Sequence, residues 1–118
     1  MRVLELAPQV FATGPLFESD LSLIAKQGVC SIVNTRPDDD SSGQPVSENL
    51  ARVAEEHGIA FVYMPVDAAT LTRAEAEKFM QTCEALKRPL LVCGRSGGYA
   101  TRIWEKAESL WLEPPDSG

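Results

Sequence analysis

The sequence predicts a single α/β domain with a mostly parallel sheet flanked by helices. Two observations carry that prediction. Short apolar, β-branched runs alternate with helical patterns along the whole chain, and a glycine, a proline or a capping residue stands at nearly every junction. The length agrees, because 118 residues fill one domain and leave no room for a second.

In chain order, residues 2–6 and 9–12 read as short opening strands. Ser19 is placed to cap a helix carrying Leu21, Leu23, Ile24 and Ala25, which Gly28 stops. Residues 29–34 are apolar and β-branched, as a strand buried on both faces should be. A polar loop over residues 36–45 follows, holding Asp38, Asp39 and Asp40 in a row. A helix over about 47–57 then puts Leu50, Val53 and Ala54 on one face and ends at Gly58. Residues 59–64 form the next strand, closed by Pro65. Thr72 and Glu75 make a capping box that opens a helix over about 73–86. Residues 89–92 are a short buried strand, 93–98 a small-residue turn, and 99–112 the last helix. In that helix Ile103, Trp104, Ala107, Leu110 and Trp111 have core spacing, although Trp111 near the end is also placed to mark a dimer interface. The domain thus spans residues 1–112, and 113–118 is expected to be a disordered tail.

Composition excludes several classes. A formal net charge of −6 argues against a general binder of nucleic acid or of anionic membrane, since both would repel the chain on average. No apolar run approaches the roughly 20 residues needed to span a bilayer, and residues 1–6 do not open a secretion signal. The three cysteines, Cys30, Cys83 and Cys93, form no CxxC pair and no zinc spacing, and there is one histidine. Reduced thiols in a cytoplasmic protein, with no metal and no cofactor, are the expectation. The triple aspartate lacks the alternating ligands and terminal glutamate of a calcium loop and reads as a solvated turn. His57 at a helix C-terminus complements the helix dipole and reads as structural.

The most informative segment runs from Leu90 through Cys93, Gly94, Arg95, Ser96, Gly97, Gly98 and Tyr99 to Arg102. A buried strand enters a glycine-rich turn and continues directly into a helix. Such a turn aims several backbone N–H groups and a helix N-terminus at one point, which favours phosphate, sulfate or another oxyanion. An ordinary tight βα turn would use the same glycines. Arg95 lies in the turn itself. Arg102, one turn into the helix, either reaches an anion or is a solvated surface residue. Arg36, ending a strand, either points into the cleft or pairs with one of the aspartates.

Several ordered residues together resemble a known family. Gln9, Phe11 and Gly14 are followed by the helix from Leu21 to Gly28. Then come Ile32-Val33-Asn34-Thr35-Arg36-Pro37-Asp38, Gln44-Pro45, Ala54, Gly58 and Tyr63-Met64-Pro65-Val66. Pro89-Leu90-Leu91-Val92 leads into Arg95-Ser96-Gly97, with Trp104 in the following helix. This set, spanning about residues 7–104, resembles the bacterial beta-lactamase hydrolase-like, phosphatase-like family, which has the fold of tyrosine and dual-specificity phosphatases. The resemblance implies a loop of His or Tyr, then Cys, Arg, Ser or Thr, Gly, Thr and Arg. Laid on this chain without gaps, the nucleophilic cysteine falls on Gly94 and the later arginine on Tyr99, while Arg95, Ser96 and Gly97 are retained. Glycine supplies no thiolate to attack phosphorus, and tyrosine supplies no guanidinium to hold its oxygens.

The resemblance also places Asp67 where a general acid would protonate a leaving oxygen, although an aspartate in a polar loop needs no such role. Cys93 stands one residue before the expected nucleophile. Alternation along the strand should turn its sulfur into the core, where a thiol is inert. The expected function is an anion-binding, phosphatase-like domain with little or no turnover, whose ligand is phosphate, another oxyanion or a phosphorylated protein. An active phosphatase using Cys93 in a shifted loop is one alternative. A rhodanese-like role in sulfur metabolism is another, and it too requires a cysteine at the loop centre.

Overall fold

A computed structural model describes residues 2–113. Its elements are β1 (Val3–Ala7), β2 (Val10–Thr13), α1 (Asp20–Lys26), β3 (Ser31–Asn34), α2 (Ser47–Glu56), β4 (Ala60–Tyr63), α3 (Arg73–Ala85), β5 (Leu90–Cys93) and α4 (Gly97–Leu112). The sheet runs β1-β2-β5-β3-β4. β1 is antiparallel to β2, and the other pairs are parallel, with Thr13 and Asn34 both opposite Cys93 across β5.

Side-chain alternation sorts the strands between two cores. Leu90 and Val92 face α3 and α4 together with Val10, Ala12 and Val33. Leu91 and Cys93 point the other way, into the layer that Ile32 shares with α1 and α2. Phe79 of α3 and Trp104 of α4 meet edge to face, with ring centroids 6.2 Å apart. Trp111 packs against this same core. It is half-buried there.

Three local expectations are corrected. Ser19 has helical backbone angles and makes no side-chain cap, because a cap needs extended backbone. Instead the Asp20 carboxylate accepts from the Phe17 N–H at 2.8 Å. Helix α4 begins at Gly97, two residues earlier than predicted, because Ser96 is extended and its Oγ accepts from the Tyr99 N–H at 2.9 Å. Val29 and Cys30 fall outside β3. Of the expected tail, residues 114–118 lie outside the described residues. Glu113 is held by Arg73, whose Nη2 is 3.1 Å from its carboxylate. Among the described residues, no helix is long and apolar enough to cross a membrane.

The strand order also fixes where a site can form. The chain builds outward from β2 through β3 to β4, then returns to insert β5 between β2 and β3. A crevice opens beyond the carboxyl ends of the strands at such a reversal. The loops after β2, β3, β4 and β5 all converge there.

Candidate anion-binding site

The loop leaving β5 is fixed from below. The Gly94 N–H donates to the Thr13 carbonyl at 3.1 Å, and the Thr35 N–H donates to the Cys93 carbonyl at 2.9 Å. The Thr35 hydroxyl, 1% exposed, donates to that same carbonyl at 2.7 Å. Above these anchors the N–H groups of Arg95, Ser96, Gly97 and Gly98 find no intramolecular acceptor among the described residues. Four free amides followed by a 16-residue helix are the elements of an anion nest. They border a cleft of about 680 Å³ that Arg2, Leu4, Pro15 and Phe17 also line.

Gly94 is the buried pivot of the loop. A Cβ built there would lie 3.2 Å from Thr35 Oγ1 and 3.4 Å from both the Cβ and the N of Ala100. Cys93, one residue earlier, is 2% exposed. Its Sγ donates to Asn34 Oδ1 at 3.2 Å, and burial pushes its thiol up to about 12. Cys83 is raised to about 12 by burial as well, whereas Cys30 is partly exposed. A disulfide reagent at pH 8 should therefore modify Cys30 quickly in the native protein. Cys83 and Cys93 should react only after denaturation, as counted by mass spectrometry. Fast native modification of Cys93 would contradict the placement of its sulfur.

The mouth of the loop is a chain of alternating charges. Asp40 Oδ2 accepts from Arg36 Nε at 3.0 Å, and Asp40 Oδ1 pairs with Arg95 Nε at 2.9 Å. The Arg95 guanidinium carbon stands 5.1 Å from the Tyr99 ring centroid, and that of Arg102 stands 5.8 Å from it. The Tyr99 hydroxyl accepts from the Ala68 N–H at 3.3 Å. Next to it, Asp67 is held below the usual carboxylate range. The main cause is the Ala69 N–H, followed by the Tyr99 hydroxyl; desolvation opposes these two, and Arg95 and Arg102 lower it more weakly than either. A general acid needs the opposite shift.

The fold thus brings Gly94, Arg95, Ser96, Gly97, Gly98, Tyr99, Arg102 and Asp67 to one edge of the sheet and turns Cys93 away from it. Arg36 pairs with Asp40. The three aspartates have separate roles: Asp38 Oδ1 accepts from the Ser47 N–H at 2.8 Å, Asp39 is exposed, and Asp40 bridges the two arginines. Sequence reasoning missed Asp40, Thr35 and Asn34 as members of the site. Only the adjacency of β3 and β5 makes them so.

Comparison with known proteins places this geometry. The profile of the beta-lactamase hydrolase-like protein, phosphatase-like domain, matches residues 3–110. A beta-lactamase hydrolase-like protein of Agrobacterium fabrum is 26% identical over 110 residues, which are 93% of this chain and 26% of that protein. The chain therefore spans about a quarter of that relative's length. Among solved structures, a Neisseria meningitidis protein assigned as a candidate phosphatase superposes with a TM-score of 0.83 at 25% identity, covering 97% of this chain and 81% of its own. The core catalytic domain of a PP-IP phosphatase from S. cerevisiae, in complex with citrate, gives 0.64 at 11% identity and covers 98% and 86%.

Proposed function

The chain belongs to the family of beta-lactamase hydrolase-like, phosphatase-like domains, and from that premise we propose that it binds phosphate or another oxyanion at the loop after β5 with little or no turnover. The observation that carries this reading is Gly94. Resemblance to the family's loop puts the attacking thiolate at this position, which has no side chain, while the neighbouring amides of Arg95 to Gly98 stay free to receive an anion. Tyr99 stands where a second guanidinium would grip the oxygens, and its hydroxyl is engaged with Ala68 and Asp67. The yeast neighbour's citrate is an oxyanion of the kind this reading requires. A phosphorylated protein would present the same chemistry, and three free thiols fit a reducing compartment such as the cytoplasm.

The burial of Cys93, its bond to Asn34 and its raised thiol weigh against a cysteine phosphatase with a shifted loop. The same three facts weigh against sulfur transfer.

Calorimetric titration with inorganic phosphate and with tungstate tests the binding half. Wild type should bind both, and Arg95→Ala should weaken binding about tenfold, the usual scale for losing one charge-assisted contact. Hydrolysis of a chromogenic aryl phosphate tests the other half, with wild type and Cys93→Ser both expected at background. Turnover that Cys93→Ser abolishes would make the protein a phosphatase and overturn the reading.

A further inference from the structure

The most specific feature of the loop mouth is that its arginine is already engaged by a carboxylate. Asp40 reaches Arg95 with one oxygen at 2.9 Å and Arg36 with the other at 3.0 Å. The side chains of Asp40 and Arg36 are each 15% exposed, against 47% for Arg95. The carboxylate is therefore largely withdrawn from solvent, where its pairing is screened less than that of a surface ion pair.

The loop that carries Asp40 has its own bracing. Gln44 Nε2 donates to the Pro37 carbonyl at 2.8 Å while Gln44 Oε1 accepts from the Ser41 N–H at 2.8 Å. The Asp40 N–H also donates to the Pro37 carbonyl at 3.2 Å. Asp38 fastens the loop to α2 through the Ser47 N–H, and Tyr63 Oη accepts from the Asp38 N–H at 3.0 Å. None of these contacts involves Arg95. The loop is shaped independently of the cradle and presents Asp40 to it at high effective concentration.

We propose that Asp40 is an internal competitor for the anion cradle, and that it sets the charge a ligand must carry to bind there. This inference rests on the anion-binding reading above and adds a selectivity to it. An incoming group competes with this carboxylate for the Arg95 guanidinium, which Asp40 holds through Nε, while the amides of Ser96, Gly97 and Gly98 add to its attraction. A phosphate dianion gains more from that exchange than a single carboxylate loses, because its greater charge meets the same guanidinium and the same amide dipoles. A monoanion such as acetate brings to the guanidinium no more charge than the carboxylate it competes with, and draws a smaller gain from the amides. The site therefore selects phosphate-like dianions over monoanions. Arg36 keeps the displaced Asp40 paired, so exchange leaves no carboxylate unpartnered.

The test is phosphate and acetate titration of wild type and Asp40→Asn, with folding checked by thermal melting. The asparagine keeps the size of the side chain and removes its charge. Asp40→Asn should bind inorganic phosphate about tenfold more tightly, and acetate should now compete with it. If Asp40 instead positions Arg95 for the ligand, the same variant binds phosphate more weakly, which overturns the proposal. Unchanged affinity overturns it too. Absence of phosphate binding in both proteins overturns the anion reading and this inference together, whereas binding by wild type without a gain in Asp40→Asn removes this inference alone. A second measurement needs no variant: the carbon resonance of the Asp40 carboxyl should move as phosphate saturates wild type. An Asp40 signal unmoved at saturation also overturns the proposal.

Discussion

Gly94→Cys combined with Tyr99→Arg is expected to raise aryl phosphate hydrolysis by at least about 10²-fold over the parent protein, the scale on which one preorganised charge-stabilising group acts. The two changes are needed together. A cysteine at 94 places a sulfur at the pivot of the loop, below the free amides of Arg95 to Gly98, where an electropositive surrounding lowers a thiol's pKa. Without a guanidinium at 99, the equatorial oxygens lack one grip, so Gly94→Cys alone should give a smaller gain. Removing the Tyr99 hydroxyl also frees Asp67 from one of the bonds that hold its carboxyl ionised. The substitution is not free of strain. Its Cβ lies 3.2 Å from Thr35 Oγ1, which is itself tied to the Cys93 carbonyl, and 3.4 Å from Ala100. Overpacking of this kind costs about 1–3 kcal/mol. Steady-state kinetics on the folded double variant decides the matter. Background rates from a protein that still melts cooperatively would show that Gly94 does not occupy the nucleophile's position in the loop.

Phe79→Ala should lower stability by about 3–5 kcal/mol, as measured by urea unfolding. Phe79 is fully buried, and its ring meets Trp104 edge to face at 6.2 Å. The pair joins α3 to the helix whose first turn supplies part of the cradle, so the cavity would open between the two helices that cover one face of the sheet. For a chain of this length the loss corresponds to a drop in Tm of about 15 °C. Phosphate binding should persist below the lowered transition, since the ring packs in the core and not against the loop. A drop under about 5 °C would mean that the cavity collapses, and that α3 and α4 are less tightly coupled than their contacts imply.

Much of this architecture is written locally in the chain. The capping box at Thr72 and Glu75 opens α3 where predicted, because both partners lie within one turn. The inward direction of Cys93 follows from alternation in β5, since period two continues to the strand's last residue. Errors arise where two local signals compete. Ser96 and the glycines after it can be read as turn or as helix start, and Ser96 acts as the cap. Asp40 shows a different limit. Nothing near it in sequence marks it as more than one of three solvated aspartates. Its role exists because β3 and β5 are neighbours, which brings the loop after one strand against the loop after the other. Asn34 at the end of β3 and Thr35 just after it, which fasten Cys93, are illegible for the same reason.

The central position of β5 governs how the molecule can assemble. Until residues 90–93 are available, the β1–β2 hairpin and the β3–β4 pair share no edge, and the facing sides of β2 and β3 present unpaired amides and carbonyls. The contacts that join the halves are therefore distant in sequence, so closing the sheet requires long loops to form first and should be slow for a chain this small. During synthesis the two halves must wait, as separate and incomplete units, for the last strand to emerge. The segment that locks them together also anchors the loop after β5, through the Gly94 N–H and the Cys93 carbonyl. Formation of the loop proposed to bind anions and completion of the sheet are one event.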